Sequence, residues 1–289
     1  MTILVTGATG TIGSLVVQGL AAAGAPVKAL VRQAGKKAFP NGVTEVVGDL
    51  TDVAAMRAAL SSVRTLFLLN AVTPDEVTQA LVALNLAREA GIERVVYLSV
   101  IHADRYVNVP HFTGKHTVER MIETLGIPAT ILRPAYFMQN DLTVQPVIRD
   151  HGVYPMPIGA AGVAMVDTRD IADVAVAELL RRHQAATALP GVTLDLVGPQ
   201  ALTGADVAAA WSRASGRDVS YGGDDVAAFE RQMASFSPSW LAYDMRLMMD
   251  GIQRIGMRGH DDAVARLQAL LGRPLRSYAA FVDEALAPR

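Results

Sequence analysis

This chain of 289 residues lacks several features, and each absence excludes a class of protein. It has no cysteine, so disulfide bonds, thiolate metal sites and a cysteine nucleophile are excluded. No apolar stretch reaches the ~18 residues of a membrane span, and no charged segment typical of a signal peptide precedes the first apolar run. Acidic residues number 28 and basic residues 26, without a basic block, so nucleic acid is not an expected partner. We therefore expect a soluble, cytoplasmic protein without a metal site.

Apolar sequence, in contrast, is abundant. Hydrophobic residues make up 51% of the chain, so one large domain, or one with a smaller addition, is expected. Lysine occurs only four times against 22 arginines, a bias that together with abundant alanine indicates a bacterial source.

A glycine-rich turn lies almost at the first residue. The apolar run Ile3 to Val5 predicts a central parallel strand that is buried on both faces. Gly7, Gly10 and Gly13 follow at intervals of three, and apolar residues at helical spacing then continue to Gly24. Strand, glycine turn and helix is the context in which backbone amides can approach a pyrophosphate at a helix N-terminus. The stretch therefore predicts a dinucleotide-binding turn.

The turn after the second predicted strand is basic. An NAD-binding chain would place a carboxylate there for the ribose hydroxyls, but this sequence has none before Glu45. Arg32 and Lys36 occupy the region instead, with Lys28 and Lys37 nearby. A guanidinium can grip a 2′-phosphate through charge-assisted hydrogen bonds, which favours NADPH over NADH. The alternative is an ordinary solvated basic loop.

Strands and helices alternate over the first 134 residues, which predicts an α/β fold with a doubly wound parallel sheet. Clear strands are Val43–Val47, Ala129–Pro134 and Val192–Leu196, and a strong helix start is expected at Thr73, with Glu76 completing a capping box. A helix is expected from Gly114 to Leu125. We predict a dinucleotide-binding domain of residues 1–134 plus about 165–185. Residues 135–164 and 190–289 are predicted to form a smaller, mostly helical substrate subdomain.

These motifs resemble the short-chain dehydrogenase/reductase superfamily, yet its Tyr-x-x-x-Lys pair is missing, because none of the seven tyrosines has lysine four residues on. The equivalent position reads His111-Phe112-Thr113-Gly114-Lys115. With Thr130-Ile131-Leu132-Arg133-Pro134, this departure resembles the NmrA-like family of atypical reductases over essentially the whole chain. The resemblance implies an NADPH-dependent reductase in which Lys115 touches the nicotinamide ribose and can assist proton transfer.

The predicted catalytic residues are Lys115, His111 and Ser99. For His111, a plain capping or surface role is an equal alternative. Asp49 is expected either to border the adenine or to cap the following helix. The full set predicted to bind NADPH or NADP⁺ comprises Gly7, Thr9, Gly10, Thr11, Ile12, Gly13, Arg32, Lys36, Asp49, Leu50, Leu69, Asn70, Ala71, Ser99, Lys115, Pro134, Tyr136 and Phe137.

Aromatic and methionine side chains suggest a place for the substrate. Phe137, Met138 and Tyr154 are expected either to wall a flat apolar pocket or to pack between domains. A stripe in the last third is more typical of core, although some of its members could roof a pocket: Met233, Phe236, Trp240, Met245, Met248 and Met249.

The expected reaction is hydride transfer from NADPH to a quinone, enone or aromatic carbonyl, with a small-molecule substrate and a monomeric or homodimeric protein. A non-catalytic NADP(H)-binding redox sensor is the alternative. A sugar-nucleotide epimerase is weaker, because it normally needs the missing tyrosine.

Overall fold

The computed structural model describes residues 1–287. Its strands are β1 (Thr2–Val5), β2 (Val27–Val31), β3 (Val43–Val47), β4 (Val63–Leu68), β5 (Val95–Leu98), β6 (Ala129–Pro134), β7 (Val153–Tyr154), β8 (Val192–Leu196) and β9 (Ser220–Tyr221). Its α-helices are α1 (Thr11–Ala22), α2 (Val53–Leu60), α3 (Glu76–Glu89), α4 (Pro110–Thr124), α5 (Gln145–His151), α6 (Thr168–Gln184), α7 (Gly204–Ser215), α8 (Val226–Ala234), α9 (Ser239–Ile255), α10 (Ala263–Leu271) and α11 (Tyr278–Leu286). A 3₁₀ helix covers Met138–Thr143.

Seven strands form one sheet in the order β3-β2-β1-β4-β5-β6-β8, and the pairings from β3 to β6 are parallel. The chain moves outward from β1 to β3 on one side and then returns to continue from β4 on the other. This order confirms the predicted doubly wound, Rossmann-like fold. It also places the topological switch point, where such folds bind ligands, at the carboxyl ends of β1 and β4.

The described chain divides into two compact units. The first unit comprises Met1–Val100, Gly114–Arg133 and Arg169–Leu194, and it holds most of the sheet. The second comprises Ile101–Thr113, Pro134–Thr168 and the chain from Asp195 onward. Residues 101–113, which the sequence analysis placed in the dinucleotide-binding domain, fall in the second unit. The assignment of a dinucleotide-binding and a substrate-binding role to these parts stays a prediction.

The first unit is held by apolar faces that the sequence pattern already indicates. In α1, Ile12, Val16, Val17 and Leu20 are buried, which is the spacing of one helical face. On the other face of the sheet, residues of α2, α3 and β4 share one core cluster with Val118 and Ile122 of α4.

Two predicted helix starts are wrong. Helix α3 begins at Glu76 with Asp75 as its N-cap residue, two residues after the expected cap Thr73, because the Glu76 amide closes a turn on the Thr73 carbonyl at 3.1 Å. Helix α4 begins at Pro110, four residues before the expected Gly114. Proline fits a first helical turn, where its missing N–H costs nothing. Glycine suits position 114 inside the helix, because a Cβ there would lie only 2.9 Å from the Val77 side chain.

Candidate cofactor and active site

The glycine turn after β1 depends on close contacts between backbone atoms of Gly7, Gly10 and Gly13. Gly7 has a φ of +61°, a conformation that other residues rarely adopt, and its carbonyl accepts a hydrogen bond from the Gly10 amide at 3.0 Å. A Cβ at Gly13 would overlap the carbonyl oxygen of Gly7. The three glycines therefore bring the start of α1 tightly against the end of β1.

The N-terminus of α1 is open to a ligand. Gly10 is the N-cap residue, and within residues 1–287 no side chain caps the amides of the first turn. Thr9, Gly10 and Thr11 are exposed there, whereas Ile12 and Gly13 are buried beneath them. Unsatisfied amides and the positive end of the helix dipole together suit a phosphate. The structure thus brings the predicted residues of this turn together.

The basic loop after β2 lies beside the same turn. Arg32 and Lys36 are exposed, and the Gly35 amide donates to both carboxylate oxygens of Glu45 at 3.2 Å, which fixes the loop. Lys37 Nζ donates to the Thr9 carbonyl at 3.4 Å. Lys37 therefore connects the loop to the glycine turn. From the sequence it was expected in the basic cluster but not among the residues that bind the cofactor.

Lys28 does not belong to this cluster, so its placement at the turn was wrong. Its ammonium donates to the carbonyls of Ser61 at 2.5 Å and Ala59 at 3.4 Å, at the C-terminal end of α2. Lys28 lies within β2, four residues before Arg32, and a cation at a helix C-terminus is favourable.

Asp49 follows β3 and does not cap the next helix. Its Oδ1 accepts hydrogen bonds from the Thr51 hydroxyl at 2.6 Å and the Thr51 amide at 2.9 Å, which lower the pKa of Asp49. The cap of α2 is Asp52, whose Oδ1 accepts from the Ala54 and Ala55 amides. The capping alternative for Asp49 is therefore wrong. Asp49 is exposed and Leu50 is half-buried beside it, and their contact with adenine stays a prediction.

The exit of β4 is tied to the glycine turn through Thr6. The Thr6 hydroxyl accepts a hydrogen bond from the Leu69 amide at 2.8 Å and lies 2.9 Å from the Leu69 carbonyl, to which it donates. Leu69 and Asn70 therefore lie at the switch point, followed by the exposed Ala71. Asn70 is buried, and its Oδ1 has no hydrogen-bond partner among the described residues.

A second buried polar atom is unpaired at the end of β5. The Ser99 amide donates to the Leu132 carbonyl at 2.8 Å, but Ser99 Oγ, although buried, has no partner in the described part of the chain. Buried polar groups are nearly always paired in native proteins, so each exception calls for an explanation. Asn70 and Ser99 lie at the carboxyl ends of neighbouring strands, where a bound dinucleotide would supply the missing partners.

Lys115 is buried in α4 and paired with a carboxylate. Its Nζ donates to Glu76 Oε1 at 2.6 Å, and both side chains are less than a tenth exposed. An ammonium has three donors, so this ion pair leaves two for a ligand. From the sequence, Glu76 was expected only as a helix-capping residue. Its contact with Lys115 joins residues 39 positions apart, so it could not be read from spacing alone.

Glu119, a carboxylate on α4, orients Arg133 near the end of β6. Glu119 is buried and accepts two hydrogen bonds from Arg133, from Nε at 3.0 Å and from Nη2 at 2.6 Å. Such a bidentate pair fixes a guanidinium in one orientation. Burial, together with the charges of Glu76 and Glu119, raises the pKa of the Tyr97 hydroxyl.

His111 belongs to the second unit and is neither a cap nor a surface residue. Its Nδ1 lies 2.8 Å and 2.9 Å from the two carboxylate oxygens of Asp244 in α9, which is buried. An aspartate on one ring nitrogen fixes the orientation of an imidazole and leaves the other nitrogen for a proton. Asp244 was missed by the sequence analysis, because 133 residues separate it from His111.

The aromatic side chains expected around a pocket have different fates in the second unit. Tyr136 is buried and donates to Asp141 Oδ1 at 3.2 Å, and Phe137 is half-buried. Met138 and Tyr154 are fully buried and do not line the cavity formed by the methionine and aromatic stripe, which favours packing, the other alternative expected for them. Most members of the methionine and aromatic stripe line a cavity, and two of them, Met248 and Met249, are also buried in the core. The lining members are Met233, Phe236, Met245, Met248 and Met249.

Comparison with known proteins identifies the family to which this chain belongs. The NmrA-like family matches residues 1–249. The chain belongs to the NmrA-like family. It is 36% identical over 284 residues to the NAD(P)H azoreductase of Xenophilus azovorans, covering 96% of each protein. It is 31% identical over 289 residues to quinone oxidoreductase 2 of Escherichia coli, covering 97% of each.

One solved structure shares the whole fold. The crystal structure of the NADPH-dependent quinone oxidoreductase of Escherichia coli in complex with NADPH superimposes with a TM-score of 0.85 at 26% identity. The match covers 99% of this chain and 100% of that one.

Metal-binding clusters and membrane-spanning helices are both absent from residues 1–287. Within residues 1–287 of this NmrA-like chain, no group of three or more histidine, aspartate or glutamate side chains is placed to hold a metal ion. In the same range, no helix has the length and apolar character needed to cross a bilayer.

Proposed function

We propose that this protein is an NADPH-dependent reductase that transfers hydride to a quinone or a similarly conjugated acceptor. The observation that carries the proposal is the joint placement of the open N-terminus of α1 and the basic loop, connected by Lys37 and Thr9. The names of the relatives point to the same reaction class, which the fold alone would not do. The small-molecule acceptor could equally contain an enone or an aromatic carbonyl.

The first unit supplies the groups that hold the cofactor. The amides of Gly10 to Gly13 bind the pyrophosphate, and Arg32 with Lys36 binds the 2′-phosphate. Asp49 and Leu50 border the adenine. Two atoms that are unpaired among residues 1–287 complete the site at the nicotinamide end: Asn70 Oδ1 accepts a hydrogen bond, and the Ser99 hydroxyl donates or accepts one. Bound NADPH supplies a hydride from C4 of its nicotinamide ring.

Lys115 supplies positive charge, and His111 supplies a proton. Lys115, held by Glu76, donates to the ribose and stabilises negative charge that develops on the acceptor oxygen. His111, held by Asp244, lies one helical turn before Lys115 in sequence and acts as the proton donor. In the second unit, Pro134, Tyr136 and Phe137 complete the proposed cofactor-binding set.

Deuterium transfer tests the reaction directly. With NADPH deuterated at C4, purified protein should oxidise the cofactor in the presence of a member of a quinone, azo-dye and enone panel. A reduced enone should carry deuterium on carbon, whereas the O–D of a quinol and the N–D of a hydrazine exchange with water, so for those acceptors the oxidation of NADPH is measured. Oxidation of NADPH should show a primary isotope effect. If no acceptor oxidises NADPH while NADPH and NADP⁺ bind with clearly different affinities, the protein is a redox sensor and the reductase proposal is wrong.

We also propose that the protein acts in the cytoplasm as a monomer or homodimer, without nucleic acid as a partner. The near balance of charges and the absence of a basic block argue against a nucleic-acid partner. Analytical ultracentrifugation of the purified protein would distinguish the monomer from the homodimer.

A further inference from the structure

The second unit contains a cavity of about 450 Å³ between the 3₁₀ helix, α5, α8 and α9. This volume lies within the range of about 300–1,000 Å³ that is usual for small-molecule sites. Five methionines line it, together with two phenylalanines: Met156, Met233, Met245, Met248, Met249, Phe229 and Phe236. Val144 and Val147 of the neighbouring segment add further apolar wall.

No charged side chain lines this cavity among the described residues. Two of its polar groups are already occupied, because the Tyr136 hydroxyl donates to Asp141 and the Thr143 hydroxyl donates to the Asn140 carbonyl at 2.7 Å. The side-chain amides of Asn140 and Gln232 are neutral. An ionised ligand group would therefore lie in this space without a counter-ion, which is costly. The cavity suits an apolar ligand.

The lining also favours aromatic rings. Methionine is flexible and polarizable, and its sulfur makes favourable contacts with aromatic rings at about 5 Å. The Phe229 ring adds an aromatic surface against which a flat ligand can stack. A single small ring would leave much of a 450 Å³ space without van der Waals contacts, whereas two or three fused or linked rings would fill it.

We propose that this cavity binds the apolar, multi-ring aromatic part of the electron acceptor, and so selects two- and three-ring acceptors over single-ring ones. The inference rests on the proposed reductase function only in calling the ligand an acceptor. Binding itself needs neither NADPH nor turnover, so it can be measured separately.

The test compares two substitutions of valine by tryptophan within the second unit. Val147→Trp fills the cavity from α5, and Val107→Trp adds the same side chain at a position that is 72% exposed and lines no part of it. The ligands are dimethylaminoazobenzene, with two rings, and benzoquinone, with one. Their affinities are measured by equilibrium dialysis without NADPH, and circular dichroism and NADPH titration establish that each variant is folded.

The wild type should bind dimethylaminoazobenzene at least about tenfold more tightly than benzoquinone, since the second ring buries additional apolar area. Val147→Trp should lose about tenfold or more of the affinity for the dye, and Val107→Trp should retain it. Phe229→Ala, which removes the aromatic wall without filling the space, should also weaken dye binding.

Equal affinities for the two ligands in the wild type, or equal dye binding by the two tryptophan variants, would overturn the inference. If the dye binds as expected but no acceptor oxidises NADPH, the reductase proposal fails and the cavity assignment stands.

Discussion

At the scale of single residues, the functional candidates are held by charged partners that lie far from them in sequence. Glu76 holds Lys115 across 39 residues, and Asp244 holds His111 across 133. A lone buried ammonium would be strongly unfavourable, so the pair with Glu76 is what permits Lys115 to be buried at all. The same pair means that loss of activity on mutation of Lys115 has two possible causes, a chemical one and a structural one.

A double substitution separates these causes. Lys115→Met leaves the Glu76 carboxylate buried without its partner, so the free energy of unfolding should fall by about 3–5 kcal/mol. The same change should lower kcat by about 100-fold, because the ammonium no longer acts in the transition state. Adding Glu76→Gln to Lys115→Met removes the uncompensated charge and should restore most of the stability but none of the lost kcat. Urea unfolding and steady-state kinetics measure the two effects.

The reverse pattern would contradict the proposed role of Lys115. If kcat returns together with stability in the double variant, Lys115 supports the fold and does not take part in the reaction. Glu76→Gln alone serves as the control, since it removes the carboxylate while keeping the lysine.

At the scale of elements, local patterns in the sequence were sufficient for most strands. Val43–Val47, Ala129–Pro134 and Val192–Leu196 were predicted with the bounds that they have in the structure, because short apolar runs between turn residues specify buried strands. The glycine turn was predictable for a similar reason, as close backbone approaches permit only glycine.

Helix starts were less predictable, because they depend on what competes for the capping side chain. The expected capping box at Thr73 needed the Glu76 carboxylate to reach back to the backbone. That carboxylate instead accepts a hydrogen bond from Lys115, a tertiary contact that local sequence does not reveal. The start of α4 was predicted too late for a comparable reason. Glycine is typical of helix boundaries, whereas Gly114 lies inside the helix and packs against Val77.

The basic loop gives a prediction about cofactor choice. Arg32→Ala removes a guanidinium that can make a charge-assisted hydrogen bond to the 2′-phosphate, worth about 1.5–3 kcal/mol. Affinity for NADPH should therefore fall by roughly 10- to 100-fold, while affinity for NADH, which has no 2′-phosphate, should be nearly unchanged. Fluorescence titration with both cofactors measures the effect.

Arg88→Ala is the matched control, because Arg88 is an exposed arginine at the C-terminal end of α3. It should leave both affinities unchanged. Equal affinity of the wild type for NADPH and NADH would refute the assignment of the loop to the 2′-phosphate.

At the scale of the whole molecule, the features that the sequence did not predict are those built from distant segments. Tyr278 reaches Asp141 across 137 residues, and methionines of the last third line a cavity as well as part of the core. A stripe of apolar residues at helical spacing predicts only that one face of a helix is covered. Whether that face packs against protein or lines a cavity depends on the segments that lie opposite it.

Asp141 lies at the centre of such an assembly in the second unit. The hydroxyls of three tyrosines donate to its carboxyl group: Tyr136 at 3.2 Å, Tyr154 at 3.3 Å and Tyr278 at 2.5 Å. Tyr278 in turn accepts a hydrogen bond from the Trp211 indole at 2.9 Å. Burial outweighs these hydrogen bonds and raises the pKa of Asp141 from 3.8 to about 7. Burial also raises the pKa values of the three tyrosines, which therefore stay neutral.

Stability should consequently decrease as the pH rises toward neutrality. Because the pKa of Asp141 is higher in the folded than in the unfolded chain, the folded state binds more protons between about pH 4 and pH 7. The resulting stabilisation is complete below the unfolded pKa and is lost as the pH rises through the folded one. Asp141→Asn cannot titrate, so its free energy of unfolding relative to wild type should rise by on the order of 2 kcal/mol between pH 5 and pH 8.

Urea unfolding at several pH values, followed by tryptophan fluorescence, measures this difference in the relevant unit, because both tryptophans, Trp211 and Trp240, belong to it. Asp283→Asn, at an exposed position of α11 in the same unit, is the matched control for removing an aspartate charge. A pH-independent difference for Asp141→Asn would mean that the three tyrosine hydroxyls keep Asp141 ionised throughout. In that case the buried carboxylate, and not a carboxylic acid, would be the form around which the second unit folds.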